Sequence, residues 1–224
     1  MRLDGAGLTA LPVLDESLIE LSASRNRLRS ASSVARLRHL RVLTLADNDL
    51  TWLPPLRDLV DLHTLDLGHN RLTSVPPLPD LSGYLYLHDN ALTSLPDSLG
   101  DLTRLRYLNV SANPLDRLPA RIGDMQGLLE LRAERCGLTA LPPSLVQLTG
   151  LRELALRGNE IADLPAWMRS LRGLRRLDLR SNGLRSLPAS LAELPELDKL
   201  DLRWNDVDAP WLNDLKAKGC VVWR

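Results

Sequence analysis

One asparagine position constrains this chain more than any other feature. The segment Leu40-Arg-Val-Leu43-Thr-Leu45-Ala-Asp-Asn48-Asp-Leu50 has the form LxxLxLxxNxL, and its asparagine recurs as Asn26, Asn48, Asn70, Asn90, Asn113, Asn159, Asn182 and Asn205. Cys136 takes that place in one further copy, and Ala6 in a partial copy at the start. Eight of the ten asparagines share this position, which chance does not produce. Counted from Ala6, the steps are 20, 22, 22 and 20 residues, then five of 23. Self-similarity at that period marks a stacked-repeat architecture, in which no unit can bury its apolar face alone.

The chemistry of one unit follows from side-chain alternation. The LxL stretch puts two leucines on one face of a short strand and the intervening residues on the other. Strands repeated in one direction every 20 to 23 residues give a parallel sheet with a short return each time. The asparagine ends the strand in a tight turn, where its amide can satisfy turn backbone groups buried under the next coil. The stack Asn26, Asn48, Asn70, Asn90, Asn113, Cys136, Asn159, Asn182 and Asn205 therefore reads as a polar ladder inside an apolar core. Cys136 is a tolerable member, because it is small and a weak donor.

The returns repeat as well. Leu95-Pro96-x-x-Leu99-x-x-Leu102-x-x-Leu105 is matched by Leu118-Pro119 with Ile122, Met125 and Leu128, and Leu141-Pro142, Leu164-Pro165 and Leu187-Pro188 open further copies. Apolar residues at every third position predict a short helical or 3₁₀ path, with proline near its start. The shorter early units, such as the one with Val75-Pro76-Pro77-Leu78-Pro79, have too few residues for that helix. An extended, polyproline-like return is expected there.

The pattern LxxLxLxxNxLxxLPxxLxxLxx resembles the leucine-rich repeat superfamily over nearly the whole chain. The 23-residue units resemble its Ras-group type, and the 20-residue units resemble repeats of secreted effectors from bacterial pathogens. The resemblance implies an α/β leucine-rich-repeat solenoid: right-handed and curved, with a parallel sheet on the concave face and short helical, 3₁₀ or extended segments on the convex face. It implies a binding habit and no particular partner. Residues 1–208 are expected to form the solenoid, nine full repeats after a partial one, and residues 209–224 a C-terminal cap.

Composition narrows the function. Leucine supplies 55 of 224 residues and phenylalanine none, as expected of one packing environment used repeatedly. The 28 basic and 28 acidic residues cancel, so the chain lacks the positive field of a general nucleic-acid or membrane-surface binder. No apolar run is long enough for a transmembrane helix, and no signal core follows Met1-Arg2-Leu3-Asp4-Gly5. Cys136 and Cys220 sit in no metal or redox spacing. A cytoplasmic protein is the expectation, with secretion into a host cell by a non-Sec route as the alternative.

The ends are expected to differ. Pro210, the Leu212/Leu215 pair, late lysines and Gly219 read as a short capped helix, and residues 220–223 as a final strand closing the sheet. Trp211 and Trp223 read as packing within this cap, and Cys220 as a small buried residue. The N-terminal unit begins at Leu3, already at its second strand leucine. It is expected to leave a sheet edge exposed, through which the chain could contact itself.

The third, fifth and seventh positions of each unit point away from the core, with the eighth at the rim. All three tyrosines, Tyr84, Tyr86 and Tyr107, fall there on adjacent strands, with His69 and His88 beside them. Solvent-facing aromatics have no core to fill, so a protein partner is one reason for them; cross-strand packing that stiffens the sheet is the other. Arg157, Arg180 and Arg203 share one column near Arg132, Arg135 and Trp204, interleaved with Asp178, Asp201, Glu130, Glu134 and Glu153. They read either as a self-neutralised ladder or as electrostatic selection of an acidic partner. His69, His88, Asp66 and Asp89 could hold an acid–base pair or a zinc ion. An open sheet without a lid or a phosphate loop argues against catalysis, so no catalytic residue, metal or cofactor is assigned. The expected binding residues are Tyr84, Tyr86, Tyr107, His69, His88, Arg132, Arg157, Arg180, Arg203 and Trp204. The expected function is a non-enzymatic protein-binding module acting through its concave face. The alternative is the recognition domain of a larger bacterial kinase or ligase, or an effector acting on host proteins.

Overall fold

The computed structural model describes residues 1–224. Ten three-residue strands run along it: β1 Glu20–Ser22, β2 Val42–Thr44, β3 Thr64–Asp66, β4 Tyr84–Tyr86, β5 Tyr107–Asn109, β6 Glu130–Arg132, β7 Glu153–Ala155, β8 Arg176–Asp178, β9 Lys199–Asp201 and β10 Val221–Trp223. They form a single parallel sheet in sequence order, as a stack of repeats requires. Each strand pairs with the next in the register that the repeat dictates, so Tyr84 lies opposite Thr64 and Tyr107. The central leucine of every strand from β1 to β9 is buried, and the core is one continuous cluster from Leu14 to Cys220. No helix is long and apolar enough to cross a membrane.

Two backbone devices carry the strand into its return. Each ladder asparagine bridges two units. Asn48 Nδ2 donates to the carbonyls of Leu45 in its own unit and Ala23 in the one before, both at 3.0 Å, and Oδ1 accepts from the Leu28 N–H at 3.0 Å. Asn70, Asn113 and Asn182 repeat the scheme. The second device is not visible in the sequence. The residue just before the ladder position is left-handed in every unit: Arg25, Asp47, His69, Asp89, Ala112, Arg135, Gly158, Ser181 and Trp204 all have φ between 51° and 71°. Only one of them is glycine, so the turn is imposed by the ladder around it and not by local preference.

The returns of the last units are 3₁₀ helices at Asp97–Asp101, Ile122–Asp124, Pro143–Gln147, Ala166–Ser170 and Ala189–Glu193. Pro96, Pro142, Pro165 and Pro188 stand extended at the N-caps, and their carbonyls accept the first helical bonds, for example from the Leu99 N–H at 3.0 Å. Neighbouring returns touch closely: a Cβ on Gly123 would meet the Ser144 carbonyl oxygen at 2.0 Å. The return through Val75–Pro79 is extended, as expected. The expectation that all the short units lack a helix is corrected by a 3₁₀ turn at Ser32–Arg36. The two 22-residue units differ in chemistry, not length. The unit from Asn26 to Asn48 has no proline and the next carries Pro54-Pro55, but the same pair at Pro142-Pro143 opens a 3₁₀ helix, so proline alone does not decide the return.

At the C-terminal end, the helix α1 (Leu212–Ala217) buries Leu212 and Leu215, and β10 pairs with β9. Trp211 packs half-buried against the core, as a cap residue should. Trp223 does not. It lies opposite Asp201 on the outward face and is 41% exposed, because β10 continues the alternation of the repeat strands. At the N-terminal end the partial first unit is the outermost rung. Residues 1–5 add a rung beside β1: the Ser22 N–H donates to the Met1 carbonyl at 3.0 Å, and the Leu3 N–H to the Ser22 carbonyl at 2.7 Å. The Asp4 carboxylate accepts from Ser22 Oγ and the Ser24 N–H at 2.6 and 2.9 Å, which holds it below the usual carboxylate range.

Candidate functional site

The outward face of the sheet divides into two halves. On β4 and β5 the alternation sends both flanks of Leu85 and the first flank of Leu108 outward as tyrosines. The Tyr86 and Tyr107 rings lie 4.8 Å apart between centroids, and Tyr84 lies 6.0 Å from Tyr107 and 6.5 Å from Tyr86. Burial under its neighbours pushes the Tyr107 phenol up to about 12, and it raises Tyr86 as well. Tyr84 keeps 41% of its surface exposed. Tyr86 leads to His88 at 6.2 Å, and His88 meets His69 edge-on at 4.9 Å. The His88 imidazole lies directly over Gly68, where a Cβ would come within 2.3 Å of the ring. Burial lowers its pKa, with His69 adding to the effect. His63, which the column reading omitted, closes the patch at 5.6 Å from Tyr84. It precedes β3 at a position whose side chain the strand alternation does not direct to this face.

The half over β6 to β9 is ionic. Arg132 is bound by Glu130 at 2.6 Å and Glu153 at 3.0 Å, with Glu134 at 3.8 Å. Glu153 also holds Arg176 at 2.6 Å. Arg180 is clasped by Asp178 and lies 3.5 Å from Asp201, which pairs with Arg203 at 2.7 Å. Burial would raise the Asp201 carboxyl, but hydrogen bonds from Arg203 and the charges of Arg203 and Arg180 outweigh it and leave it below the usual range. Arg157 alone in this column has no carboxylate. Its guanidinium stands 5.9 Å from the ring of Trp204, which is 64% exposed, and Arg203 approaches the same ring at 5.4 Å. Trp223 completes this end, with Lys199 at 4.0 Å and Arg203 at 4.8 Å from its ring.

The ten expected binding residues thus fall into two groups and not one site. Tyr84, Tyr86, Tyr107, His69 and His88 touch in a chain on β4, β5 and the rim beside them. Arg132, Arg180 and Arg203 are tied into ion pairs, and Arg157 meets the Trp204 ring that Arg203 also approaches. Trp223 was missed because a cap was expected to turn its side chain inward; the β-branched pair Val221-Val222 before it was the available signal for continued alternation. Cys136 and Cys220 are buried, and burial pushes the Cys136 thiol up to about 11, the opposite of what a nucleophile needs. A groove lined by Leu118, Pro119, Leu141 and Pro142 includes none of the histidines.

Residues 80–217 match the family model described as a leucine-rich repeat region, and residues 38–80 match that for two copies of leucine-rich repeats. No curated protein matches the chain in sequence. Among solved structures, it resembles a leucine-rich-repeat protein of Leptospira interrogans at 31% identity and a TM-score of 0.85, covering 92% of this chain and 55% of that one. The leucine-rich-repeat protein FLRT2, from an octameric complex with latrophilin 3 and Unc5D, matches at 28% identity and a TM-score of 0.80 over 93% of this chain and 70% of that one. YopM, a leucine-rich effector protein from Yersinia pestis, matches at 27% identity and a TM-score of 0.76 over 93% and 55%. The chain spans about half the length of the Leptospira and Yersinia proteins.

Proposed function

The chain belongs to the leucine-rich-repeat family, and from that premise we propose that it is a non-enzymatic protein-binding module whose partner docks on the outward, concave face of the sheet over Tyr84, Tyr86 and Tyr107. The observation that carries this reading is the exposure of Tyr84 at the head of three mutually packed tyrosines, on a face where no core needs them. Their cross-strand contacts make the patch rigid, so a partner buries large aromatic area at little entropic cost. Arg157 and Trp204 supply a second anchor, and the neutralised arginines between them act mainly on encounter. FLRT2, similar in fold, is found in a multiprotein complex, which supports the general mode.

The test is binding of an affinity-captured partner to the Tyr84→Ala/Tyr86→Ala/Tyr107→Ala chain, with circular dichroism showing that it is folded. Each tyrosine is expected to contribute roughly 1–3 kcal/mol. Undiminished affinity in the folded variant moves the contact elsewhere.

The partial coverage of the Leptospira and Yersinia proteins favours a second reading, in which these repeats are the recognition part of a larger bacterial protein or an effector acting on host proteins. A cytoplasmic location goes with the first reading and export by a non-Sec route with the second; a translocation assay separates them. Self-association through the N-terminal edge, where residues 1–5 form the outermost rung, is a further proposal. Sedimentation at rising concentration tests it, and a strict monomer removes it.

A further inference from the structure

We propose that His69, His88 and Asp89 form a binding site for a zinc-class divalent ion at the rim of the sheet, with three protein ligands and a fourth position left for water or a partner's side chain. The reading is independent of the tyrosine patch, which can bind a partner with or without the ion.

One donor atom from each of the three residues lies within 4.8 Å of the others, and His69 Nε2 stands 3.7 Å from Asp89 Oδ2. The backbone sets this up. His69 and Asp89 occupy the same left-handed rim position in adjacent units, and the His69 N–H donates to the His88 carbonyl at 2.9 Å. A single backbone hydrogen bond therefore joins the two rim turns that carry the three side chains. Tetrahedral zinc with bonds of about 2.0–2.1 Å needs ligand atoms roughly 3.3 Å apart. Rotating the exposed His69 and the half-buried Asp89 can close the difference without moving the sheet.

A second observation points to a missing ligand. His88 Nδ1 is buried and has no hydrogen-bond partner, on a ring fixed against Gly68. An orphaned buried nitrogen is costly, and an ion or an ordered water would each satisfy it. Asp47, Asp66 and Asp89 all act on His88 with negative charge, which favours a cation. Two imidazoles with one carboxylate suit zinc and its neighbours, whereas calcium and magnesium prefer oxygen alone.

The full chain, stripped with chelator, should be titrated with Zn²⁺ by calorimetry and with Co²⁺ by visible absorption. One ion per chain is expected, with the d–d bands of low-coordinate cobalt and no thiolate charge-transfer band. His69→Ala and Asp89→Asn, both at the surface, should lose stoichiometric binding while remaining folded by circular dichroism, as should His88→Gln. The His39→Ala/His63→Ala chain should bind as the parent does. Failure of the parent chain to take up zinc at micromolar concentration overturns the site. So does binding that survives His69→Ala, or a cobalt–thiolate band assigning the ion to a cysteine.

Discussion

The strands β3–β5 and β6–β9 have the same backbone, the same register and the same buried leucines, yet their outward faces are chemically unlike. Over β4 and β5 the side chains meet ring to ring and leave apolar area in solvent. Over β6 to β9, Arg132, Arg176, Arg180 and Arg203 are each matched by a carboxylate. The buried positions alone specify the fold, so the outward positions are free to vary without disturbing it. The two faces also differ in what binding them costs. A partner covering the ionic half must desolvate pairs that are already satisfied. One covering the tyrosines displaces water from apolar rings and gives up little. Contact energy is therefore expected on the aromatic half and at Trp204, with the ionic half setting orientation.

The sharpest way to break the comparison is through the ladder that both halves share. Asn159 Oδ1 accepts from the Cys136 and Leu138 N–H groups, and Nδ2 donates to the Ala133 and Leu156 carbonyls at 2.7 Å. Asn159→Leu leaves several of these buried groups unpaired and should cost about 3 kcal/mol. Asn70→Leu, under the aromatic half, should cost a similar amount. Urea denaturation measures both, and a large difference between them would mean that the outward face helps to stabilise the backbone beneath it.

Next in size is the ionic half's own contribution. Asp201 is almost wholly buried and binds Arg203, with Arg180 nearby. Its folded-state pKa is depressed, so its stabilisation is complete above the unfolded carboxylate value and is lost as pH falls through the lower folded value. Asp201→Asn should cost about 1.5 kcal/mol at neutral pH, and the deficit should shrink below about pH 4. A deficit that does not change with pH would show that packing, and not charge, is what Asp201 supplies.

The aromatic half has a matching test at Gly68, the one strand-end position where His88 needs the space of a missing side chain. Its φ is not left-handed, so alanine is acceptable to the backbone and the clash falls on the imidazole. Gly68→Ala should displace His88 and cost about 1 kcal/mol, within the usual overpacking range. Histidine ring resonances in an NMR spectrum would report the displacement. An unmoved His88 would mean that its seat is set by Tyr86 and His69 instead.

What the sequence made legible follows from which positions are buried. The LxL alternation and the asparagine column set strand register and ladder, because each is read by the core. The charged column was placed correctly on the outward face, but its pairing depends on side-chain rotamers that spacing does not encode. The left-handed turn was invisible, since Arg25, Ala112, Ser181 and Trp204 share no preference for it. Likewise, the convergence of His69, His88 and Asp89 depends on that turn. The final strand was legible, but Trp223 was read as packing within the cap, whereas the alternation of β10 turns it outward.

The smallest expected effect is at the ladder's one irregular member, and it tests how far the two halves are joined. Cys136 Sγ lies 3.4 Å from the Val110 and Glu134 carbonyls, so the thiol takes over the donor role of the amide. It has no counterpart to the amide oxygen. The group that would need that oxygen, the Leu115 N–H, instead donates to the Cys136 backbone carbonyl at 3.0 Å, and Asp116 follows in a left-handed conformation of its own. The turn after Asn113 has thus been rebuilt around the cysteine. Cys136→Asn strengthens the donor bonds but brings an acceptor whose usual partner is already engaged. The net change should be stabilising by no more than about 0.5–1 kcal/mol, the worth of one neutral hydrogen bond. A shift of the urea midpoint with an unchanged slope would measure it. A loss greater than about 1 kcal/mol, well outside that expectation, would show that residues 113–116 are committed to the cysteine and that the ladder changes character where the aromatic half gives way to the ionic one.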